Sequence, residues 1–276
     1  MSGAAIDRSF TRISAGLVHS RSAGKPAPNG PLPLYMAHAG PGSSQGLVPL
    51  ISQLGKSRQV IAPDMLGNGD SEAPAVAKTD VGFYVDCAVQ LLDKLGIERV
   101  DFYGQHTGAN IGCELALRHP DRVGRLILDG VALFPPDLKA KMIESYAPEV
   151  RPDDYGGHLL WAWNFVRDLS VHFPYFMRDP AHRLHKNEVP SPAILQQLTV
   201  ELLKALPTYH LAYQAIFVHP LAERLALLAH PTLIMVVDSD PLAIYHDQAS
   251  ALVPNAINRR IQRDQRASAI EDFLTA

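Results

Sequence analysis

The segment "DFYGQHTGANIGCELA", from Asp101 to Ala116, constrains the fold more than any other stretch of the chain. An apolar strand-like run meets a Gly-x-His-x-Gly corner and continues at once into a helix-like run of small residues. A strand that turns directly into a helix forces the residue at the corner, His106, into strained backbone geometry. Only small neighbours, here Gly104 and Gly108, let the flanking chain pass without collision. The side chain at the tip projects outward, and the first N–H groups of the helix, left without intrahelical partners, point at the same spot.

The rest of the chain supplies partners for such a unit. "SFTRISAG" and "LVHSRSAG" read as an opening hairpin, followed by a polar, Pro/Gly-rich loop, "KPAPNGP". "LPLYMAHA" and "RQVIAPD" are apolar runs that end in glycine-rich loops, as expected for strands buried on both faces. Val81, Tyr84, Val85, Ala88, Leu91, Leu92 and Leu95 recur at helical spacing, with Gly96 as a C-terminal stop. "RVGRLILDGV" and "PTLIMVVDSD" are further strands. After them come a helix-like "LAIYHDQASALV", a weak strand "NRRIQR" and a last helix "ASAIEDFLTA". Alternating strands and helices predict an α/β class with a mostly parallel sheet. About a hundred residues between Val131 and Thr232 show no strand-like run, carry many aromatics and read as helical. The expected organisation is therefore a core of residues 1–134 and 230–276, with a helical cap of residues 135–229 at the strand ends, where open α/β folds bind ligands.

Composition removes several classes of function. A net charge of −3 offers no basic footprint, so nucleic acid is not an expected partner. No apolar run approaches the roughly 20 residues of a membrane span, and the first residues lack a signal-type apolar core, so the expectation is a cytoplasmic protein without membrane attachment. Cys87 and Cys113 lie in helix-like segments and read as buried thiols. The glycine loops lack the phosphate and dinucleotide fingerprints, and no histidine pair has metal-binding spacing. No cofactor and no metal are expected. A small molecule is the expected ligand, and a second copy of the chain is a candidate partner.

Five motifs in sequence order resemble the α/β-hydrolase family. They are "AHAGPGSS" after the third strand, "APDMLGNGDSEAP" after the fourth, "GQHTG" at the nucleophile elbow, "RHPDRVGRLIL" beyond it, and "DSDPL" after the penultimate strand. The resemblance spans nearly the whole chain and implies the α/β-hydrolase fold. It also implies an oxyanion hole from the backbone amides of Gly40 and Thr107, and a triad acid at Asp240, with Asp238 a weaker alternative. The chain departs from the pattern twice. His106 stands where the family has its nucleophile, usually serine, and the stretch "NRRIQRDQRASA", where the triad histidine belongs, contains none.

A serine triad without its nucleophile or base loses on the order of 10⁶ in turnover, so ordinary serine chemistry is not expected. The favoured expectation makes His106 a general base, held neutral by the helix N-terminus and oriented by Asp240 or Asp129. An acyl-imidazole route ranks below it, because no second base is visible. The predicted activity is hydrolysis of a small, largely apolar carbonyl compound. A non-catalytic ligand-binding protein and a lyase using the same base are the rivals. His38, Trp161 and Trp163 are candidate substrate-binding residues, although His38 also suits a loop brace. Phe165 and Tyr209 are further aromatics that a pocket could use, and Asp64 and Asp70 are expected to fix their loop.

Overall fold

The computed structural model describes residues 3–27, 30–185 and 187–276; residues 28 and 29 of the expected polar loop fall outside them. The opening hairpin forms as β1 (Ile6–Ile13) and β2 (Gly16–Ala23). Next come β3 (Leu34–Ala37), helix α1 (Val48–Leu54), β4 (Val60–Pro63), α2 (Val81–Lys94), β5 (Val100–Gln105), α3 (Thr107–Arg118) and β6 (Val123–Asp129). Five helices follow: α4 (Pro136–Ser145), α5 (Gly157–Leu169), α6 (Pro192–Ala205), α7 (Tyr209–Val218) and α8 (Leu221–Leu225). The chain closes with β7 (Thr232–Val237), α9 (His246–Leu252), β8 (Ile257–Ile261) and α10 (Arg266–Thr275).

One eight-stranded sheet runs β1-β2-β4-β3-β5-β6-β7-β8, antiparallel at its first two pairings and parallel from β4 to β8. The central strands are buried along their length, which explains their unbroken apolar runs. Helices α2 and α3 bury one apolar cluster against one face. Helices α1 and α10 bury another against the opposite face, around Leu34, Met36, Tyr103 and Ile127. Helix α2 starts where the Asp80 carboxylate caps the Phe83 N–H, and ends before Gly96, whose φ of +66° suits glycine. Cys87 and Cys113 are free and buried. No helix among the described residues is long and apolar enough to cross a membrane.

The helices between β6 and β7 have their own aromatic core, including Tyr146, Phe165, Tyr175, Tyr209 and Tyr213. Several bonds tie them to the sheet's loops. Tyr213 donates to the Gly40 carbonyl at 2.8 Å, Thr208 donates to the Gly67 carbonyl at 2.8 Å, and the Lys204 ammonium pairs with Asp70 at 2.8 Å.

Candidate active site

Adjacent parallel strands place the site. Gln105 at the end of β5 pairs with Asp129 at the end of β6, and Asp129 pairs with Met235 of β7. The His106 N–H donates to the Asp129 carbonyl at 2.9 Å, so the corner follows the last rung of the sheet. His106 has φ 48° and ψ −101°, a strained conformation for a side-chain-bearing residue, costing on the order of 1–3 kcal/mol. The flanking glycines are sterically required. A Cβ on Gly104 would lie 2.2 Å from the Gly108 carbonyl oxygen, and one on Gly108 would lie 2.3 Å from that of Ala37.

The His106 ring reaches Asp240, its Nε2 lying 2.7 Å from Asp240 Oδ2. Asp240 follows β7, and its other oxygen caps the next turn by accepting the Leu242 N–H at 2.9 Å. Both carboxylate oxygens are therefore fixed. Gly130 makes room for this pair. Its φ is +70°, and a Cβ there would lie 2.4 Å from His106 Cδ2 and 2.6 Å from Nε2. His106 Nδ1 makes no hydrogen bond to a described residue, and the side chain keeps 30% of its surface exposed.

Burial alone would lower the His106 pKa, but the Asp240 carboxylate outweighs it and the net direction is upward. This corrects the sequence expectation of a ring biased toward neutral by the helix N-terminus. A helix end contributes roughly 0.3–1 kcal/mol. A full charge at bonding distance contributes on the order of 4 kcal/mol at an effective dielectric of about 20. Asp240 responds in the complementary sense: burial would raise it, but the His106 ring and the Leu242 N–H bring it below its ordinary value.

Asp129, expected as an alternative orienter, faces elsewhere. Its side chain is fully buried, with Oδ2 accepting from the Tyr103 hydroxyl at 2.6 Å and lying 2.9 Å from Arg266 Nε. Burial pushes its carboxyl upward even so. Only its backbone carbonyl meets His106, because its place at the end of β6 turns the side chain toward α10. Asp238 is exposed and accepts from Gln262.

Arg266, at the head of α10, lies in the stretch where the triad histidine was sought and faces Asp129. His246, the last histidine in the chain, is buried and bonded to Asn258. No histidine outside the elbow bonds to Asp240 among the described residues.

The two amides expected to form an oxyanion hole sit side by side but in different states. The Thr107 N–H opens helix α3 and has no acceptor among the described residues. The Gly40 N–H donates to the Thr107 hydroxyl oxygen at 3.0 Å, so it is engaged and not open to the cleft. The close approach of the loop to the elbow causes this, since Thr107 places its hydroxyl directly under Gly40.

Two cavities meet at His106, sharing it with Gly40 and Leu169. One, of about 280 Å³, runs between the "HAGPG" loop and helices α5 and α6. The other, of about 210 Å³, is walled by aromatics including Phe134, Tyr146, Phe173, Tyr213 and Phe217. Trp161 and Trp163 line neither, which corrects their expected role as substrate contacts. Helix α5 turns Phe165, Val166 and Leu169 toward the first cavity, while Trp161 packs on Phe165 and Tyr209. His38 borders that cavity but is 1% exposed, and both ring nitrogens are taken by backbone. Nδ1 donates to the Ala39 carbonyl at 2.9 Å, and Nε2 accepts the Met65 N–H at 3.0 Å. That pattern fixes the neutral tautomer, in keeping with a burial-lowered pKa, and makes His38 a brace for its loop and not a substrate contact. Asp64 fixes the neighbouring loop by accepting from Ser44 and from the Asp70 N–H.

His19, Asp64 and Asp70 also cluster with ligand-type atoms within 4.8 Å of one another. Their atoms are already used: Asp64 holds His19 Nδ1, Arg8 donates to His19 Nε2, and Arg8 and Lys204 pair with Asp70. The cluster is a charge-compensated network with no vacant donors for a cation. Sequence reasoning missed Gly130 and Arg266 as neighbours of the site. The "DG" closing β6 and the first residue of the last helix were the available signals.

A model of the α/β-hydrolase fold family matches residues 33–268. The chain belongs to this family. Among curated proteins, the α/β-hydrolase-fold chain is 45% identical over 128 residues to a 2-hydroxymuconate semialdehyde hydrolase of Pseudomonas sp. strain CF600. It is 40% identical over 114 residues to a protein of the same name from Pseudomonas putida. These matches span 44% and 41% of this chain, and only 42% and 38% of the relatives' own lengths. Among solved structures, the enol-lactonase from Burkholderia xenovorans LB400 superimposes with a TM-score of 0.76. That match has 20% identity, 97% of this chain and 100% of that chain being covered, a likeness of fold.

Proposed function

We propose that this α/β-hydrolase-fold protein hydrolyses a small, largely apolar carbonyl compound of ester type, with His106 as general base and Asp240 as its orienting acid. The observation that carries the reading is the 2.7 Å bond between His106 Nε2 and Asp240 Oδ2, made by a ring whose Nδ1 is unengaged beside two cavities. With Nε2–H held by Asp240, the neutral ring presents a lone pair at Nδ1. A water in the cleft gives its proton to Nδ1 as its oxygen bonds the carbonyl carbon, and charge gathers on the carbonyl oxygen. Collapse of that intermediate breaks the bond to the leaving oxygen, which takes the proton back from Nδ1.

The developing oxyanion is met by the Thr107 N–H and by the Thr107 hydroxyl hydrogen, the hydroxyl oxygen being polarised by the Gly40 N–H it accepts. The aromatic cavity suits an apolar acyl group. The names of the relatives support a hydrolase. Because those matches cover about two fifths of each relative, the substrate named for them is not carried over.

The test is turnover of aryl esters of acetic, butyric, hexanoic and phenylacetic acids by wild type, His106→Ala and Asp240→Asn. Wild-type turnover should exceed that of His106→Ala by about 10²–10⁴, the range typical of a positioned base. Rates equal to buffer for both proteins on every ester would sink the hydrolase reading, and tight ligand binding without turnover would turn it into a receptor.

A further inference from the structure

The 280 Å³ cavity is not apolar throughout. Glu201 of helix α6 is the only carboxylate among its described lining residues, and no lysine or arginine among the described residues lines either cavity at His106. The Glu201 side chain is 10% exposed. One of its oxygens, Oε2, accepts from the Ser43 hydroxyl, which anchors the carboxylate against the "HAGPG" loop. The other, Oε1, accepts no hydrogen bond from a described residue, and lies 4.0 Å from Lys204 Nζ, which is drawn to Asp70 at 2.8 Å. Gln197, one turn earlier on the same helix, lines the same wall. Among the described residues, the opposite lobe, beyond His106, carries no charged side chain other than the His106 ring itself.

A cleft with a fixed carboxylate at one end and aromatic walls at the other discriminates by charge as well as by shape. A carboxylate there would meet a like charge whose nearest cation, Lys204, is 4.0 Å from Oε1 and already held by Asp70, whereas a hydroxyl or ammonium group would find a carboxylate acceptor.

We propose that Glu201 forms a specificity subsite that selects a hydrogen-bond-donating end of the substrate, hydroxyl or ammonium, and excludes compounds whose corresponding end is a carboxylate. The inference deepens the proposed function, since it takes the cleft at His106 as the place where substrate binds. Its test is a binding measurement and does not depend on turnover.

4-Phenylbutylamine, 4-phenylbutanol and 4-phenylbutyrate share one skeleton and contain no hydrolysable bond. Their affinities for wild type, Glu201→Gln and Glu223→Gln are measured by calorimetry at about pH 8.5, where the amine is still protonated. Wild type should bind the amine about tenfold or more tightly than the acid, with the alcohol between. Glu201→Gln keeps an acceptor for Ser43 and should bring amine and acid within about threefold of each other. Glu223→Gln alters a carboxylate on a neighbouring cavity that His106 does not line, and should leave the wild-type preference in place. Equal affinities in wild type, no binding of the amine, a preference that survives Glu201→Gln, or one lost in Glu223→Gln would each overturn the proposal. An enzyme inactive on every ester that still prefers the amine through Glu201 would sink the hydrolase reading and leave this one standing.

Discussion

His106 Nε2 and Asp240 Oδ2, 134 residues apart in sequence, lie 2.7 Å apart across the end of β6. In the family pattern a third residue, a histidine after the last strand, would carry the ring between elbow and acid. Here the elbow supplies the ring itself. The imidazole and the carboxylate are therefore held by two strand ends of one sheet, after β5 and after β7.

The coupling sets the pH dependence. A general base works in its neutral form, so turnover should rise with pH through the His106 pKa, which Asp240 lifts above the ordinary value near 6.5. Asp240→Asn removes the charge that opposes burial. The acidic limb of the kcat profile should then move to lower pH, while kcat on the plateau falls by about 10²–10⁴ as the ring loses its orienting partner. A limb that stays in place in this variant would show that another group titrates.

Stability should follow the same pair. His106 has a raised folded-state pKa, so its contribution is full below the ordinary imidazole value and fades as pH rises through the raised one. Asp240 has a lowered folded-state pKa, so its contribution is present above the ordinary carboxylate value and fades as pH falls through the lowered one. The Tm of wild type relative to His106→Ala should therefore be most favourable between these limits and decline on both sides. A difference in Tm independent of pH would contradict the pairing.

Gly130→Ala tests the space the pair needs. The substitution puts a Cβ into a left-handed backbone at φ +70° and 2.4 Å from the imidazole, so either the ring or the chain must move. The expected cost is about 2–3 kcal/mol in urea unfolding, with turnover lost because the ring is driven off Asp240. Full activity in a stable variant would show that the ring does not need this position.

The sheet and its order were legible because buried parallel strands and amphipathic helices leave different periodicities, and both were strong here. Helix α1 was not singled out, because seven residues beside a glycine-rich loop carry too little pattern. The partnership of elbow and "DSDPL" loop was legible from motif order, since both lie at strand ends. Side-chain direction was not. Asp129 sits at a strand end beside His106, yet its carboxylate serves Tyr103 and Arg266. Trp163 lies about 200° around α5 from the cavity-lining Phe165, whereas Trp161, one turn before Phe165 on the same face, packs on Phe165 and Tyr209 instead of the cavity. The sign of the His106 shift depended on a distance, which sequence does not contain.

Arg266 stands in the region that lacks the histidine, and its partner Asp129 has no exposed surface. Arg266→Leu would leave that carboxylate without its cation beside Tyr103. Breaking a buried pair costs about 3–5 kcal/mol, so a marked fall in Tm is expected, larger than for Arg259→Leu at an ion pair on the surface. Equal effects of the two substitutions would mean that Asp129 is neutral in the native protein.

His106→Ser restores the residue type common at such elbows, and the outcome separates two views of the site. If the chain were a serine enzyme one substitution from activity, this variant would hydrolyse esters and react with a fluorophosphonate. The structure argues otherwise. With the imidazole gone, no histidine remains bonded to Asp240 among the described residues, and Arg266 and the buried His246 are committed to other partners. A serine hydroxyl with no base beside it is a poor nucleophile at neutral pH. The variant should show no mass increment after fluorophosphonate treatment and no ester turnover above His106→Ala. A covalent adduct on this variant would mean that some other group can act as its base, and would remove the argument that the elbow imidazole stands in for the missing one.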